Sequence, residues 1–343
     1  MRLLTLRDDD IASIDRLVDE VCERYDSVES AELQRNCQVY AAELPRRLRA
    51  ELNEFRIGES SAAIVISGLP VGDDEIGPTP SGWQDWPEPA PTLRHDVTFL
   101  LIAALLGDPI AWATQQDGRL MHSVFPIKEH EDEQIGWGSK ELLTWHTEDA
   151  FHPMRTDYLG LMCLRNPDAV ETTLADIADV RIDADTAKIL GEDRFHILPD
   201  NSHRAENQIG PDNDEDPRIT ELRRRGQQRV ESALADPQAV PVLFGDPADP
   251  YLRIDPYYMQ GQHHGAEARA LEAIGAAIDT AMGGVVLNPG DIVFIDNFRA
   301  VHGRKPFQAR FDGTDRWLRR LNIARDLRKS REYRLDAASR VIF

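Results

Sequence analysis

From residue 110 onward the chain is written in short β-like segments: 110–115, 120–127, 142–148, 158–164 and 170–174, separated by turn-forming residues. The pattern returns at 240–244, 251–254, 285–287 and 292–295. Strands of this length at this spacing suggest an all-β sandwich or barrel rather than a βαβ repeat. The expected class is therefore mainly β with added helices. With 343 residues, 41% of them hydrophobic, the chain can bury the core of one large domain, and one domain over 1–343 is favoured.

The segments outside this pattern read as helices and excursions. Asp8, Asp9 and Asp10 form a capping cluster ahead of Ile11, Ile14, Leu17, Val18, Val21 and Tyr25 at helical spacing. A second helical pattern runs through Leu33, Val39, Leu44, Leu48 and Leu52, with Pro45 placed to bend or divide it. Together, residues 8–54 form a candidate helical scaffold over a sheet. Residues 62–67, AAIVIS, read as a buried strand, and 69–91, with Trp83 and Trp86, as a long surface excursion. An apolar helix at 97–106 is closed by Gly107. The charged stretch 200–229 is a candidate lid, with a mobile surface loop as the alternative. Residues 266–282 form an amphipathic helix, and Asn288-Pro289-Gly290-Asp291 a tight turn between two strands.

A formal net charge of -21 argues against nucleic acid or an anionic membrane as partner. No apolar run approaches the length of a membrane span or signal h-region, so a cytoplasmic location is expected. Cys22, Cys37 and Cys163 are odd in number and widely separated, which suggests neither a disulfide framework nor a thiolate zinc site.

The chemistry concentrates in LLTWHTED, residues 142–149. His146 and Glu148, two apart on a strand, point to the same face and can share a metal ion. His302, after the last short strands, supplies a third ligand. Two histidines and one carboxylate form the facial triad of non-haem Fe(II) oxygenases, with positions left open for a bidentate co-substrate and O2. Arg316 adds a guanidinium able to grip a remote carboxylate. Alternation puts Arg316, Leu318 and Arg320 on one face of their strand and Trp317 and Arg319 on the other. Two alternatives stand beside this reading. One is a zinc hydrolase using the same ligands, which leaves Arg316 unexplained; the other is a non-catalytic jelly-roll binding protein.

HTEDAFHP and LRNPD, followed by IDNFRAVHGRKPFQARFDGTDRWLRRLNIARDLR, resemble the clavaminate synthase-like branch of Fe(II)/2-oxoglutarate oxygenases. The likeness runs from about Pro45 to the end of the chain. It is similar in particular to the β-hydroxylases of free L-arginine and enduracididine in peptide-antibiotic biosynthesis. That resemblance implies a double-stranded β-helix, or jelly roll, with its core at 110–325. It implies Fe(II) held by His146, Glu148 and His302, with 2-oxoglutarate and O2 as co-substrates. Arg316 and a threonine, Thr173 in preference to Thr172, would hold 2-oxoglutarate. Gln115, Glu148, Asp200, Ser202, Asp255 and Arg320 would hold a small guanidino amino acid, most simply L-arginine, for hydroxylation at Cβ. Tyr257 and Gly136 stand where a member of that group has an aspartate and a serine, which keeps a cyclic guanidine such as L-enduracididine as the alternative substrate.

Overall fold

The computed structural model describes residues 1–84, 87, 89–131, 136–203 and 216–343. Within them the helical scaffold comes first. Strand β1 (Arg2–Thr5) leads into α1 (Asp8–Arg24), whose Ile14, Leu17, Val18 and Val21 form the buried stripe. The three aspartates are the first turn of this helix rather than a preceding cap, where they favour the positive end of the helix dipole. Pro45 divides the next pattern into α2 (Ala31–Ala41) and α3 (Arg46–Gly58). Val39, counted into the apolar period, is 66% exposed.

Strand β2 (Ala63–Ser67) is buried as expected and pairs parallel with β1. The 69–91 excursion contains the short helix α4 (Asp73–Ile76), and both Ile76 and Trp83 are buried, so it packs rather than floats; Trp86 lies outside the described residues. Helix α5 (Leu93–Ala103) ends four residues before Gly107. Gly107 is needed for a different reason: a Cβ there would sit 2.4 Å from the Ala324 carbonyl oxygen.

The β-rich part begins with β3 (Asp108–Trp112), β4 (His122–Val124), β5 (Leu143–His146), β6 (Tyr158–Arg165) and β7 (Glu171–Asp176). After α6 (Ala184–Leu190) and α7 (Pro217–Ala235) come the hairpin β8 (Leu243–Asp246) and β9 (Asp249–Leu252), then α8 (Gly265–Ala281). The chain closes with β10 (Gly283–Val286), β11 (Ile292–Asp296), β12 (Ala300–Arg304), β13 (Trp317–Ala324) and β14 (Val341–Ile342). The larger sheet runs β1-β2-β11-β6-β13-β3-β14, with β4 also on β13, and the smaller runs β10-β7-β12-β5. The two sheets make a jelly-roll core with helices on its outside.

Period-two alternation separates the layers. Tyr158 and Met162 of β6 pack with the N-terminal helices, whereas Leu159, Leu161 and Cys163 face the smaller sheet's Leu174, Val285 and Ala300. Helices α6 and α8 cover the other side of the smaller sheet through Leu190, Ile274 and Ile278. The turn 288–291 does not close a hairpin, because β10 pairs with β7 and β11 with β2 and β6. It carries the chain from one sheet to the other. Gly290, at φ 89°, passes so near Leu69 that a Cβ would meet its carbonyl oxygen at 1.9 Å.

Residues 200–229 are less irregular than their composition suggests. Asp216 caps the Arg218 amide and Pro217 opens α7, leaving 204–215 of the candidate lid outside the described residues. Leu222 is the buried residue of α7, which explains why no apolar period betrayed the helix. Among the described residues no helix is long and apolar enough to cross a membrane.

Candidate active site

Between the sheets lies a cavity of about 540 Å³. His146 ends β5 and stands in register opposite His302 on β12. Their ring centroids are 4.7 Å apart. Glu148 lies just past the end of β5, not on it. Asn297 fixes it there, accepting the Glu148 amide at 2.7 Å and donating to its carbonyl at 3.0 Å. The Glu148 Oε2 atom faces His302 Nε2 at 3.4 Å and His146 Nε2 at 3.8 Å.

These three side chains fit a divalent iron. Their ligand atoms all lie within 4.8 Å of one another. His146 Nδ1 is 2.8 Å from the Thr144 carbonyl, so it takes the proton and leaves the Nε2 lone pair turned to the shared centre. Two imidazoles and one carboxylate, with no thiolate, form the donor set expected for Fe(II). Burial resists the charge on Glu148, but the Arg320 guanidinium and both imidazoles outweigh it and hold the carboxyl well below its usual range. The carboxylate is thus ready to bind a cation.

Arg316 and Arg320 face the cavity together, as alternation along the strand predicts, while Arg319 pairs on the far side with the buried Asp96. Arg316 is 6% exposed, donates to Thr172 Oγ1 at 3.2 Å, and has no partner for Nε among the described residues. Burial lowers its pKa to about 10, and the missing ingredient is an anion. Thr172 and Thr173 alternate on β7. Thr172 lines the cavity beside Arg316, whereas Thr173 pairs with Gly303 and does not line it. The geometry therefore turns the preference for Thr173 round in favour of Thr172.

The residues expected to hold substrate line the same cavity: Gln115, Glu148, Asp200, Ser202, Asp255 and Arg320. Arg320 donates to Glu148 Oε1 at 2.8 Å and to Gln115 Oε1 at 2.7 Å. Gln115 donates onward to Ser202 Oγ at 2.9 Å. Asp255 Oδ1 accepts the amides of Tyr257 and Tyr258, and burial pushes its carboxyl up to about 6. Among the described residues no cationic side chain forms an ion pair with it. Sequence reasoning missed Asn297 and His122. The His122 Nδ1 atom lies 2.8 Å from Arg320, and burial together with that guanidinium keeps the ring neutral. Asn297 sat in the quoted run before His302, but its partner Glu148 is 149 residues away.

Residues 96–322 match the family model described as taurine catabolism dioxygenase TauD, TfdA family. The chain belongs to the TauD/TfdA dioxygenase family. It is 64% identical over 343 residues to an enduracididine beta-hydroxylase of Streptomyces hygroscopicus, across the whole of both chains. It is 45% identical over 348 aligned positions to an L-ornithine/L-arginine 3-hydroxylase of Catenulispora acidiphila, again across both. The fold superposes on the crystal structure of the non-heme iron oxygenase OrfP in complex with Fe, succinate and (3S)-hydroxy-L-Arg, with a TM-score of 0.91 at 40% identity and full coverage of both chains. This TauD/TfdA member is a non-haem iron, 2-oxoglutarate-dependent oxygenase. The zinc-hydrolase and non-catalytic alternatives fall with that assignment.

Proposed function

We propose that the protein hydroxylates Cβ of a free guanidino amino acid, with L-arginine as the simplest substrate. One observation carries this reading: the buried carboxylate of Asp255 stands without an ion-pair partner among the described residues, in a cavity that also holds Arg320 and Glu148. A zwitterion with a distal cation satisfies all three, its carboxylate on Arg320, its ammonium near Glu148 and its guanidinium on Asp255. The full-length similarity to an enduracididine beta-hydroxylase favours a cyclic guanidine as the second substrate reading, and Tyr257 supplies an aromatic face for it.

In this proposal His146, Glu148 and His302 hold iron, and Arg316 with Thr172 holds 2-oxoglutarate. Iron, 2-oxoglutarate and O2 together supply the oxidant for C–H hydroxylation, with succinate and CO2 as co-products. The chain's own part is positional. Arg320 and Asp255 fix the two ends of the substrate so that one carbon faces the metal side, and a displacement of about 1 Å can cost on the order of a hundredfold in rate. The strongly negative chain, as a small-molecule enzyme, needs neither nucleic acid nor membrane, and we place it in the cytoplasm in antibiotic biosynthesis. The organisation that goes with this function is one oxygenase domain, with 8–54 as scaffold and 110–325 as catalytic core.

The test is incubation of purified protein with Fe(II), ascorbate, 2-oxoglutarate and a panel of free amino acids, reading oxygen gain by mass and its position by NMR. L-Arginine or L-enduracididine should gain oxygen at C3 with stoichiometric succinate. Turnover confined to amino acids without a guanidine would refute the proposal.

A further inference from the structure

Beside the metal triad, Asp149, Asp200 and His203 also bring ligand-type atoms within 4.8 Å of one another. Their hydrogen bonds give this grouping another use. His203 Nε2 is 3.0 Å from Asp149 Oδ1, and its Nδ1 is 2.8 Å from Thr114 Oγ1, so both ring nitrogens are engaged. The ring stands edge-on to Trp112 and Phe151, with centroids 5.2 and 4.9 Å away. Asp149 also accepts the Trp112 indole N–H at 2.6 Å. It directly follows Glu148 and adopts a left-handed φ of 49°, a conformation that aspartate tolerates better than most residues.

On the other side, His203 ends the short 3-10 turn Asn201–His203, which immediately follows Asp200. Among the described residues no strand ladder holds this turn. Its local bonds include the Asn201 amide to the Tyr258 hydroxyl at 2.9 Å, the Ser202 amide to Asp200 Oδ1 at 2.8 Å, the His203 amide to the Asp200 carbonyl at 3.2 Å and Gln115 Nε2 to Ser202 Oγ at 2.9 Å. The imidazole of His203 is 3% exposed, and it ties the turn to the cavity floor.

We infer that His203 is a positioning residue whose imidazole, held between Asp149 and Thr114, fixes the turn presenting Asp200 and Ser202 to the amino-acid substrate. The inference rests on the proposed function for the identity of that substrate. It links the substrate side of the cavity to the metal side through adjacent residues, Glu148 and Asp149, without His203 touching either ligand.

The test compares three variants of the iron- and 2-oxoglutarate-loaded enzyme. His203→Leu fills similar space without hydrogen bonds, and is expected to raise the KM for the amino acid about tenfold while the KM for 2-oxoglutarate stays within about twofold. Succinate released per hydroxylated product should rise as well. His203→Gln restores an N–H for Asp149 and should recover most of the loss. Thr114→Val removes the Nδ1 bond and leaves the Nε2 contacts with Asp149 and Gln115, so it should raise the amino-acid KM about threefold, which decides the matter if His203→Leu does not fold. Equal changes in both KM values, or an unchanged amino-acid KM in the folded variants, would overturn the inference. Amide hydrogen exchange provides a readout free of substrate: residues 201–203 should exchange about tenfold faster in Thr114→Val or His203→Leu, with β12 unaffected, and unchanged exchange would again overturn it. If the wild type accepts no guanidino acid, the functional reading fails alone, and exchange still decides the role of His203.

Discussion

The two ends of the cavity are built differently. At the metal end His146 and His302 sit on paired strands, with Thr172 on the neighbouring β7 and Arg316 one residue before β13. At the substrate end Asp200, Ser202 and Asp255 sit on turns, held by side-chain bonds to Gln115, to His203 and to the amides of Tyr257 and Tyr258. A backbone ladder fixes the position of a side chain almost regardless of its identity. Turns held by side chains change shape when one residue changes. The two histidines are thus placed on the part of the fold that tolerates drift, and three of the proposed substrate contacts on the part that responds to it, while Glu148, held off the strand by Asn297, and Arg320, on β13, cross this divide.

The harshest test of this contrast is His302→Ala, which should leave β12 paired yet abolish hydroxylation. Loss of an outer partner of a metal ligand typically costs about 10–100-fold, and loss of the ligand itself should exceed that. Retained product by mass spectrometry would break the metal assignment. Next in size, Arg316→Met should raise the KM for 2-oxoglutarate by roughly a hundredfold, the scale of a lost buried charge-assisted bond, with a smaller effect on the amino acid. Thr172→Val should act in the same direction more weakly, and Thr173→Val should not. Kinetics in which Thr173→Val is the more damaging would restore the other assignment.

At the substrate end, Asp255→Asn should raise the KM for the guanidino acid about thirtyfold at pH 8 and leave that for 2-oxoglutarate unchanged. Burial raises the Asp255 carboxyl to about 6, so the wild-type carboxylate is present above that pH and is lost by protonation below it. The wild-type amino-acid KM should therefore climb as pH falls through about 6, and the Asn variant should lose that dependence. The smallest expected effect lies outside the cavity. Burial pushes the Asp296 carboxyl up to about 7, which favours its neutral form in the folded chain. Its contribution to stability is full below the unfolded carboxyl range near ~3.9 and is lost as pH rises towards about 7. Asp296→Asn keeps an acceptor for the Phe298 amide, so it should stabilise the protein by on the order of 2 kcal/mol at pH 8 and by almost nothing at pH 4. A denaturant series at the two pH values checks this.

What the sequence revealed follows the same divide. The convergence of His146 and Glu148 on one centre was visible because they are near neighbours, and the shared face of Arg316 and Arg320 because alternation is a local property of strands. The choice between Thr172 and Thr173 turns on parity, since a one-residue shift reverses which face a side chain takes, and it is Thr172 that lines the cavity. Helix α7 hid behind a charged surface although Asp216-Pro217 marked its start. The turn at 288–291 was legible as a turn, but whether its flanking strands pair depends on partners as distant as Ile64 and Thr172. His122 and Asn297 could not be found locally, because each acquires its role only from a residue more than a hundred positions away.

Strand β5 is the edge of the smaller sheet, and two residue pairs, His146 with His302 and Leu143 with Arg304, define its register on β12. By contrast β12 meets β7 through five. An ion held by His146 and His302 would therefore cross-link the strand with the fewest residue pairs in the smaller sheet to its neighbour, and a slip by one residue would turn His146 away and dismantle the site. With the ligands proposed above, metal loading would be thermodynamically linked to sheet closure, and part of the binding free energy would go into completing the barrel wall. Redox-inert divalent ions should protect the amides of β5 first, which makes this edge strand an internal gauge of whether the protein is charged with metal.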